Sequence, residues 1–404
     1  MFTQTPIPAL GGSSSRAFAV GPQGEVVGFA DDASGQTRAF FWDANGIRDL
    51  GVLFLPVPPA FLGFTTNISG ATAMGTSAAG TPIVVGSSGY IPAPGATAAG
   101  VPVVALEQAF VIDVAGPNTT IRPIGTFLPS PIPGVFLGNS DARAVNNKGQ
   151  IVGVSDTTIA GTPRQAFLYD YANRTMTNIG TLVQDPNTGA FVGNSEALGI
   201  NNNGQIVGVS DTGHVDANTN RPIRQAFLYD INTRSMTSIG TLLAAKYGPS
   251  RARGHSEARA INDYGRVVGV STSLDAGQQR EVERAFLFDP NLVGVRMMQD
   301  LGTFDAANRP VFFHDLGASE AFAINNNNDV VGWAETATLD AAGRRIRHAF
   351  RFNFSTGQLD DLHAASIMNP GATFFDATGI NDAGQICGNV NGASASGLRL
   401  TPIP

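Results

Sequence analysis

One short pattern recurs along this chain at intervals that only a repeat architecture produces. Its clearest copy runs Ala197-Leu-Gly-Ile-Asn-Asn-Asn-Gly-Gln-Ile-Val-Gly-Val-Ser-Asp211, continues at Arg224-Gln-Ala-Phe-Leu-Tyr-Asp230 and ends at Met236-Thr-Ser-Ile-Gly-Thr-Leu242. One glycine marks every copy: Gly28, Gly86, Gly153, Gly208, Gly269, Gly332 and Gly388, spaced 58, 67, 55, 61, 63 and 56 residues apart. The chain therefore consists of seven units.

Within a unit, residues 196–200 alternate in polarity, Asn201-Asn202-Asn203-Gly204 is a tight-turn cluster, and Gln205–Ser210 is β-branched and apolar. The two halves predict a hairpin, with asparagine favouring the turn and glycine its left-handed position. Gln225–Tyr229 predicts a third strand and Met236–Thr241 a fourth, joined by the turn Asp230–Ser235. Four antiparallel strands per unit make one blade of a β-propeller. The third strand has its own signature, at Arg38-Ala-Phe40, Gln108-Ala-Phe110, Gln165-Ala-Phe167, Gln225-Ala-Phe227, Arg284-Ala-Phe286 and His348-Ala-Phe350. Only the seventh unit lacks it, offering Leu398-Arg-Leu400.

These residues carry a resemblance. His348-Ala-Phe350 with its five variants, the Ile-Asn-x-x-Gly-Gln hairpins and Ile179-Gly-Thr-Leu182 resemble the bacterial extracellular repeat proteins named for their His-Ala-Phe (HAF) motif. The resemblance spans essentially the whole chain and implies a secreted or surface-exposed bacterial propeller. It brings no general activity and no catalytic residues. Where that family passes from Gly-Thr-Leu to the next strand through a short Gly-Gly linker, this chain inserts a dozen residues or more.

The chain ends complement each other. Residues 2–10 read as a fourth strand without a blade, aligning with Thr120–Phe127, while residues 375–401 supply three strands without a fourth. The N-terminal strand is therefore expected to complete the last blade and remove two exposed sheet edges. A single seven-bladed domain over 1–404 is expected, with blades near 14–53, 68–127, 139–182, 194–242, 256–304, 319–362 and 375–404 plus 2–10.

Composition narrows the function classes. A net charge of −7, with lysine only at Lys148 and Lys246, argues against nucleic acid as the partner. No apolar run reaches eighteen residues, so no membrane span is expected. Met1 is not followed by a basic-then-apolar leader, and a secreted protein of this sequence is expected to have lost its signal and gained a methionine. The one cysteine, Cys387, stands where other units carry valine and reads as a small buried hydrophobe. Nucleophile elbows, zinc-binding helices, phosphate loops and paired-cysteine motifs are absent from the sequence.

Function is sought in the loops. The connections from first to second and from third to fourth strand are short, whereas those from second to third strand and from blade to blade vary, and both variable classes leave the same end of a blade. The neutral connection from Ser88 to Leu106 is the longest of the first variable kind and reads as a lid or contact loop. A plain scaffold with elaborated loops at one end is a usual way to present a binding surface. A carboxylate opens most first strands on that side: Asp141, Glu196, Glu257, Glu320 and Asp376. Two readings compete: each carboxylate staples its own blade through amides or Arg143, Arg259 or Arg16, or the five converge to hold a divalent cation such as calcium. The stapling reading is preferred and needs no cofactor. Loop aromatics form a second constellation: Phe61, Phe64, Phe136, Phe191, Phe312, Phe313 and Phe374, with Phe54, Leu55, Leu62, Phe127, Val135 and Val192 beside them. They line a binding surface if exposed, or a satellite core if folded back. His255 and His314 stand near Glu257 and Glu320 as potential metal or acid–base partners, and the conserved-looking turn residues Asn146, Asn201, Asn262, Asn325 and Asn381 are assigned to capping.

The favoured function is a non-catalytic extracellular module whose long-loop end holds a protein, a glycan or another copy of the chain. The alternatives are a divalent-cation-dependent hydrolase or lyase and a purely structural propeller of a surface layer or filament.

Overall fold

The computed structural model describes residues 1–53, 64–91, 106–116, 121–128, 136–158, 163–217, 219–250, 252–275, 280–304, 310–311, 317–365, 372–391 and 396–403. The fold is a seven-bladed β-propeller in which each blade is a four-stranded antiparallel sheet. Blade one comprises Gly11–Val20, Val26–Asp32, Thr37–Asp43 and Gly46–Asp49; blade two Phe64–Thr76, Pro82–Ile91, Leu106–Asp113 and Arg122–Pro123. Blade three comprises Ser140–Val145, Gln150–Asp156, Arg164–Asp170 and Thr175–Gly180; blade four Ser195–Ile200, Gln205–Val215, Pro222–Asp230 and Ser235–Gly240. Blade five comprises Ser256–Ile261, Val267–Leu274, Glu281–Phe288 and Met298–Asp300; blade six Ser319–Ile324, Val330–Leu339, Arg345–Asn353 and Gln358–Asp361. Blade seven takes Thr373–Ile380, Ile386–Asn391 and Ser396–Pro402, and Phe2–Ile7 pairs antiparallel with the last of these as its fourth strand. The expected closure by the N-terminal strand is thus present. By contacts the chain divides into two compact units: Pro8–Gly21 with Glu25–Ala197, and Met1–Ile7 with Pro22–Gly24 and Leu198–Pro404.

In six of the seven blades the marker glycine has a steric cause that the described contacts show. The first strand skips one residue in register opposite it, between Ala142 and Ala144 in blade three and between Ala258 and Ala260 in blade five. The same shift occurs between Ala17 and Ala19, Ala71 and Ala73, Ala321 and Ala323, and Ala377 and Gly379. Such a bulge presses the carbonyl before it toward the second strand. A Cβ on Gly153 would collide with the Asp141 carbonyl oxygen, and one on Gly269 with that of Glu257. Gly28, Gly86, Gly332 and Gly388 stand in the same relation to residues 16, 70, 320 and 376.

Beside the glycine lies the phenylalanine of the third-strand signature. Phe40, Phe110, Phe167, Phe227, Phe286 and Phe350 are fully buried. In blade seven Leu398 holds that register opposite Gly388, and the aromatic comes from the first strand instead, since the Phe374 ring packs on Gly388. This corrects one sequence expectation: Phe374 is a fully buried core side chain within Thr373–Ile380, not a loop aromatic.

Serines join blade to blade. The bulge between Ala166 and Phe167 on the fourth-strand side leaves the Ala166 N–H without a ladder partner, and it donates to Ser195 Oγ of the next blade at 2.9 Å. Ser195 Oγ in turn donates to the Gly180 carbonyl at 2.5 Å. Ser256 does the same for Ala226 and Gly240 (2.9 and 2.6 Å), Ser319 for Ala285 and Gly302, and Ser69 for Ala39 and Gly51. A second serine on the second strand accepts from the residue two beyond that glycine, as Ser271 does from Leu242 and Ser155 from Phe127. The turn asparagines cap as assigned: Asn201 Oδ1 accepts from the amides of residues 203 and 205. Their amide nitrogens also reach the next blade, Asn201 to the Asn262 carbonyl and Asn262 to that of Asn325.

Two outcomes follow. Removing residues 1–7 strips the outer strand from blade seven, and the truncated chain should melt lower and aggregate through the bared edge of Ser396–Pro402; an unchanged melting curve would contradict the pairing. Ser256→Ala leaves the buried Ala226 amide unpaired and should cost about 1–3 kcal/mol in a denaturant titration, whereas no loss would remove the serine from this role.

Candidate functional site

The residue that each first-strand bulge skips is turned out of the ladder, which is how bulges re-aim side chains. In blades three and five that residue is arginine. Arg143 lies 3.0 Å from Asp141 of its own blade and 2.9 Å from Glu196 of blade four. Arg259 repeats this, 2.8 Å from Glu257 and 2.7 Å from Glu320 of blade six. The second Glu320 oxygen accepts from Trp333 Nε1 at 3.2 Å, and Arg347 stacks over the Trp333 ring at 3.8 Å. Asp376 accepts from Asn389 at 2.9 Å. In blades three and five the staples therefore run both within the blade and on to the next one, through a shared arginine. Among the described residues, no group of three or more histidine, cysteine or acidic side chains is placed to hold a metal ion.

Asp141 is a buried carboxyl of blade three. Burial pushes it up to about 6, against the opposing pull of Arg143, with Glu107 and Glu196 adding to the rise. Its Oδ1 has no hydrogen-bond partner among the described residues. His255 and Glu257 line one small polar pocket of about 240 Å³ together with Arg224 and Glu283. His255 Nδ1 there accepts from the Arg224 amide at 3.3 Å.

The first residue of the third-strand signature clamps the blade-to-blade loop. Gln165 Nε2 donates to the Gly193 carbonyl and Gln165 Oε1 accepts from Asn178; Gln225 bonds Ser250, Arg253 and Ser238 likewise. His348 takes this place in blade six, with Nδ1 2.9 Å from Asp361 and its ring 4.4 Å from that of His363. Burial holds His363 below the usual histidine range, and His348 adds to the effect.

The loop aromatics divide. The Phe136 ring packs on Gly125 and against Leu106, and the Phe191 ring on Gly180, with Phe191 itself 37% exposed. Phe64 lies in the first strand of blade two, paired with Ile91. Phe61, Phe312, Phe313 and His314 fall outside the described residues, as does most of the Ser88–Leu106 connection. Cys387 is buried, and burial pushes its thiol up to about 12. Sequence reasoning missed the serines, although Ser-x-Ala opens six of the seven units at Ser15, Ser69, Ser140, Ser195, Ser256 and Ser319.

A family model described as "Protein of unknown function (DUF3466)" matches residues 103–192, 183–253 and 249–395. No curated protein matches. Among solved structures, the β-propeller domain of the trilobed protease from Pyrococcus furiosus is similar with a TM-score of 0.52 at 8% identity, over 97% of this chain and 96% of that one. The β-propeller domain of Cps50 (Swd1) from Myceliophteria thermophila aligns over 100% of both chains at 10% identity with a TM-score of 0.45. These likenesses concern the fold alone. No helix among the described residues is long and apolar enough to cross a membrane.

Asp141 yields a pH test. In the folded state it keeps its proton to about pH 6, whereas unfolding returns it toward its ordinary value of 3.8. The stability it contributes is thus full below its unfolded pKa and lost as pH rises through its folded one. Asp141→Asn lacks this titration, so the melting temperature of the variant minus that of the parent should grow from pH 4 to pH 7. A difference that stays flat would contradict the assignment. The shared arginine sets a second expectation: Glu257→Gln and Glu320→Gln should be non-additive in stability, because both act on Arg259, and strict additivity would argue for separate staples.

Proposed function

The chain belongs to the family described as "Protein of unknown function (DUF3466)", and within it we propose a non-catalytic binding or surface-assembly module that acts outside the cell as one propeller domain. Its long-loop end is taken to hold a protein, a glycan or another copy of the chain. The observation that carries this is the projection of three neighbouring hairpins beyond their blades. In blade four the second and third strands stay paired out to Val215 and Pro222, in blade five to Leu274 and Glu281, and in blade six to Leu339 and Arg345. The first strands beside them span only six residues each. Val215 and Leu339, near the tips, are 54% and 58% exposed. Extended hairpins that bury little of their own apolar surface suit contact with a partner.

The first-strand carboxylates support this reading over a cation-dependent hydrolase, because Arg143 and Arg259 already pair with four of them. Extracellular placement rests on the resemblance to the HAF-repeat proteins.

The double variant Val215→Asp with Leu339→Asp tests the proposal. Wild-type protein, assayed on a glycan array, on blotted surface-protein extract and by sedimentation velocity for self-association, should form at least one saturable complex. The double variant should weaken that complex by about tenfold or more while melting as the parent does. No complex in any of the three assays, or full retention in the double variant, would overturn it. Calcium and a chelator should leave the melting temperature unchanged; a calcium-induced rise would favour the cation-dependent enzyme instead.

A further inference from the structure

Blades two and three end their fourth strands in the same way. An isoleucine and a left-handed glycine, Ile124-Gly125 (φ 96°) and Ile179-Gly180 (φ 82°), are followed by a loop that returns a phenylalanine to cover them. That phenylalanine lies in a Phe-x-Gly-x-Ser run, Phe136-Leu-Gly-Asn-Ser140 and Phe191-Val-Gly-Asn-Ser195. Both isoleucines are buried, Ile124 to 8% and Ile179 to 4% exposure. The ring sits where any Cβ on the glycine would have to be, so the glycine forms the floor of an aromatic seat.

Blade four builds the same seat and leaves it open. Its fourth strand ends Ile239-Gly240 with φ 81° at the glycine, and the returning loop keeps the second left-handed glycine, Gly254 at φ 69°, matching Gly138 at φ 69°. The run now reads Ala252-Arg-Gly-His-Ser256, with alanine in place of phenylalanine. Among the described residues, no atom lies within 4 Å of the Cβ position on Gly240. Ile239 and Gly240 are only half-buried, in contrast to their counterparts in blade three.

A cavity of about 630 Å³ opens above them. Its walls include Leu228, Phe288, Met297 and Met298, and among the described residues no ionisable side chain lines it. The polar groups at its base are already engaged: Ser238 donates to Gln225 Oε1 at 2.9 Å, and Gln225 Nε2 to the Ser250 carbonyl at 2.9 Å. Its size falls in the range of small-molecule sites, roughly 300–1,000 Å³, and methionines adapt their shape to flat rings.

We propose that this cavity binds a neutral small molecule through an aromatic ring seated on Gly240, in the place that Phe136 and Phe191 fill in blades two and three. A charged ligand would be desolvated there with no oppositely charged partner among the described lining residues. The inference goes beyond the loop-end reading and stands independently of it.

The probe is p-cresol, with cyclohexanol as the non-aromatic control, and the readout is the methyl NMR signals of Met297 and Met298 in the full chain. Saturable shifts with p-cresol and weaker binding of cyclohexanol are expected. Ala252→Phe should plug the seat and weaken p-cresol by about tenfold or more, while Phe191→Ala should open a second seat at Gly180 and add a second equivalent of bound probe. If Ala252→Phe does not fold, Ala245→Phe fills the cavity from its helical wall and should have the same effect. No saturable shift in the parent, equal binding of cyclohexanol, or undiminished binding in a folded plugged variant would overturn the proposal. The double variant Val215→Asp with Leu339→Asp should bind p-cresol as the parent does, which separates this site from the hairpin tips.

Discussion

Everything in a blade is arranged around a carbonyl oxygen pushed against a residue that has no side chain. The first-strand bulge supplies the carbonyl, and the marker glycine supplies the space. A bulge sharpens the local twist and frees one residue from the ladder. In blades three and five the freed residue is an arginine that reaches the next blade, and in blade two it is Thr72, which donates to the Ala142 carbonyl of blade three at 2.7 Å. The contact that shapes the blade therefore also aims the side chains that join it to its neighbour.

A second bulge, on the fourth-strand side, leaves an alanine amide with no strand to pair with, and a serine from the next blade satisfies it. A buried amide left without a partner costs a large part of a domain's net stability, and the chain repeats a serine at this position in six of its seven units. The interface between blades six and seven departs from this. Phe375 stands where the serine would be, and there the His363 ring accepts from the Phe374 amide at 3.3 Å. The seam that departs from the serine rule is also the one flanked by the His348–Asp361 pair.

The periodic part of this architecture was legible in the sequence because periodicity is a property of backbone geometry. Glycines, turn asparagines and alternating strands repeat where the chain must repeat them. The carboxylates drew attention by their charge, yet the more regular residue was the serine beside them, whose role depends on a bulge that no pattern of polarity reveals. Phe374 was misplaced for a related reason: by position it precedes a first strand, but blade seven lacks the third-strand phenylalanine, and the core took an aromatic from elsewhere. The open seat above Gly240 is written in the sequence only as Ala252 where Phe136 and Phe191 would align, a difference without meaning until the two filled seats are seen.

The account stands on the glycine beneath the bulge, and one comparison tests it most directly. Gly269→Ala places a Cβ against the Glu257 carbonyl, whereas Gly116→Ala, at an exposed bend, meets nothing within 4 Å among the described residues. Both substitutions restrict the unfolded chain equally, so their difference in a denaturant titration reports the folded state. Gly269→Ala should lose ~2 kcal/mol more than Gly116→Ala, as overpacking against backbone demands. Equal losses, or a smaller one at Gly269, would contradict the account.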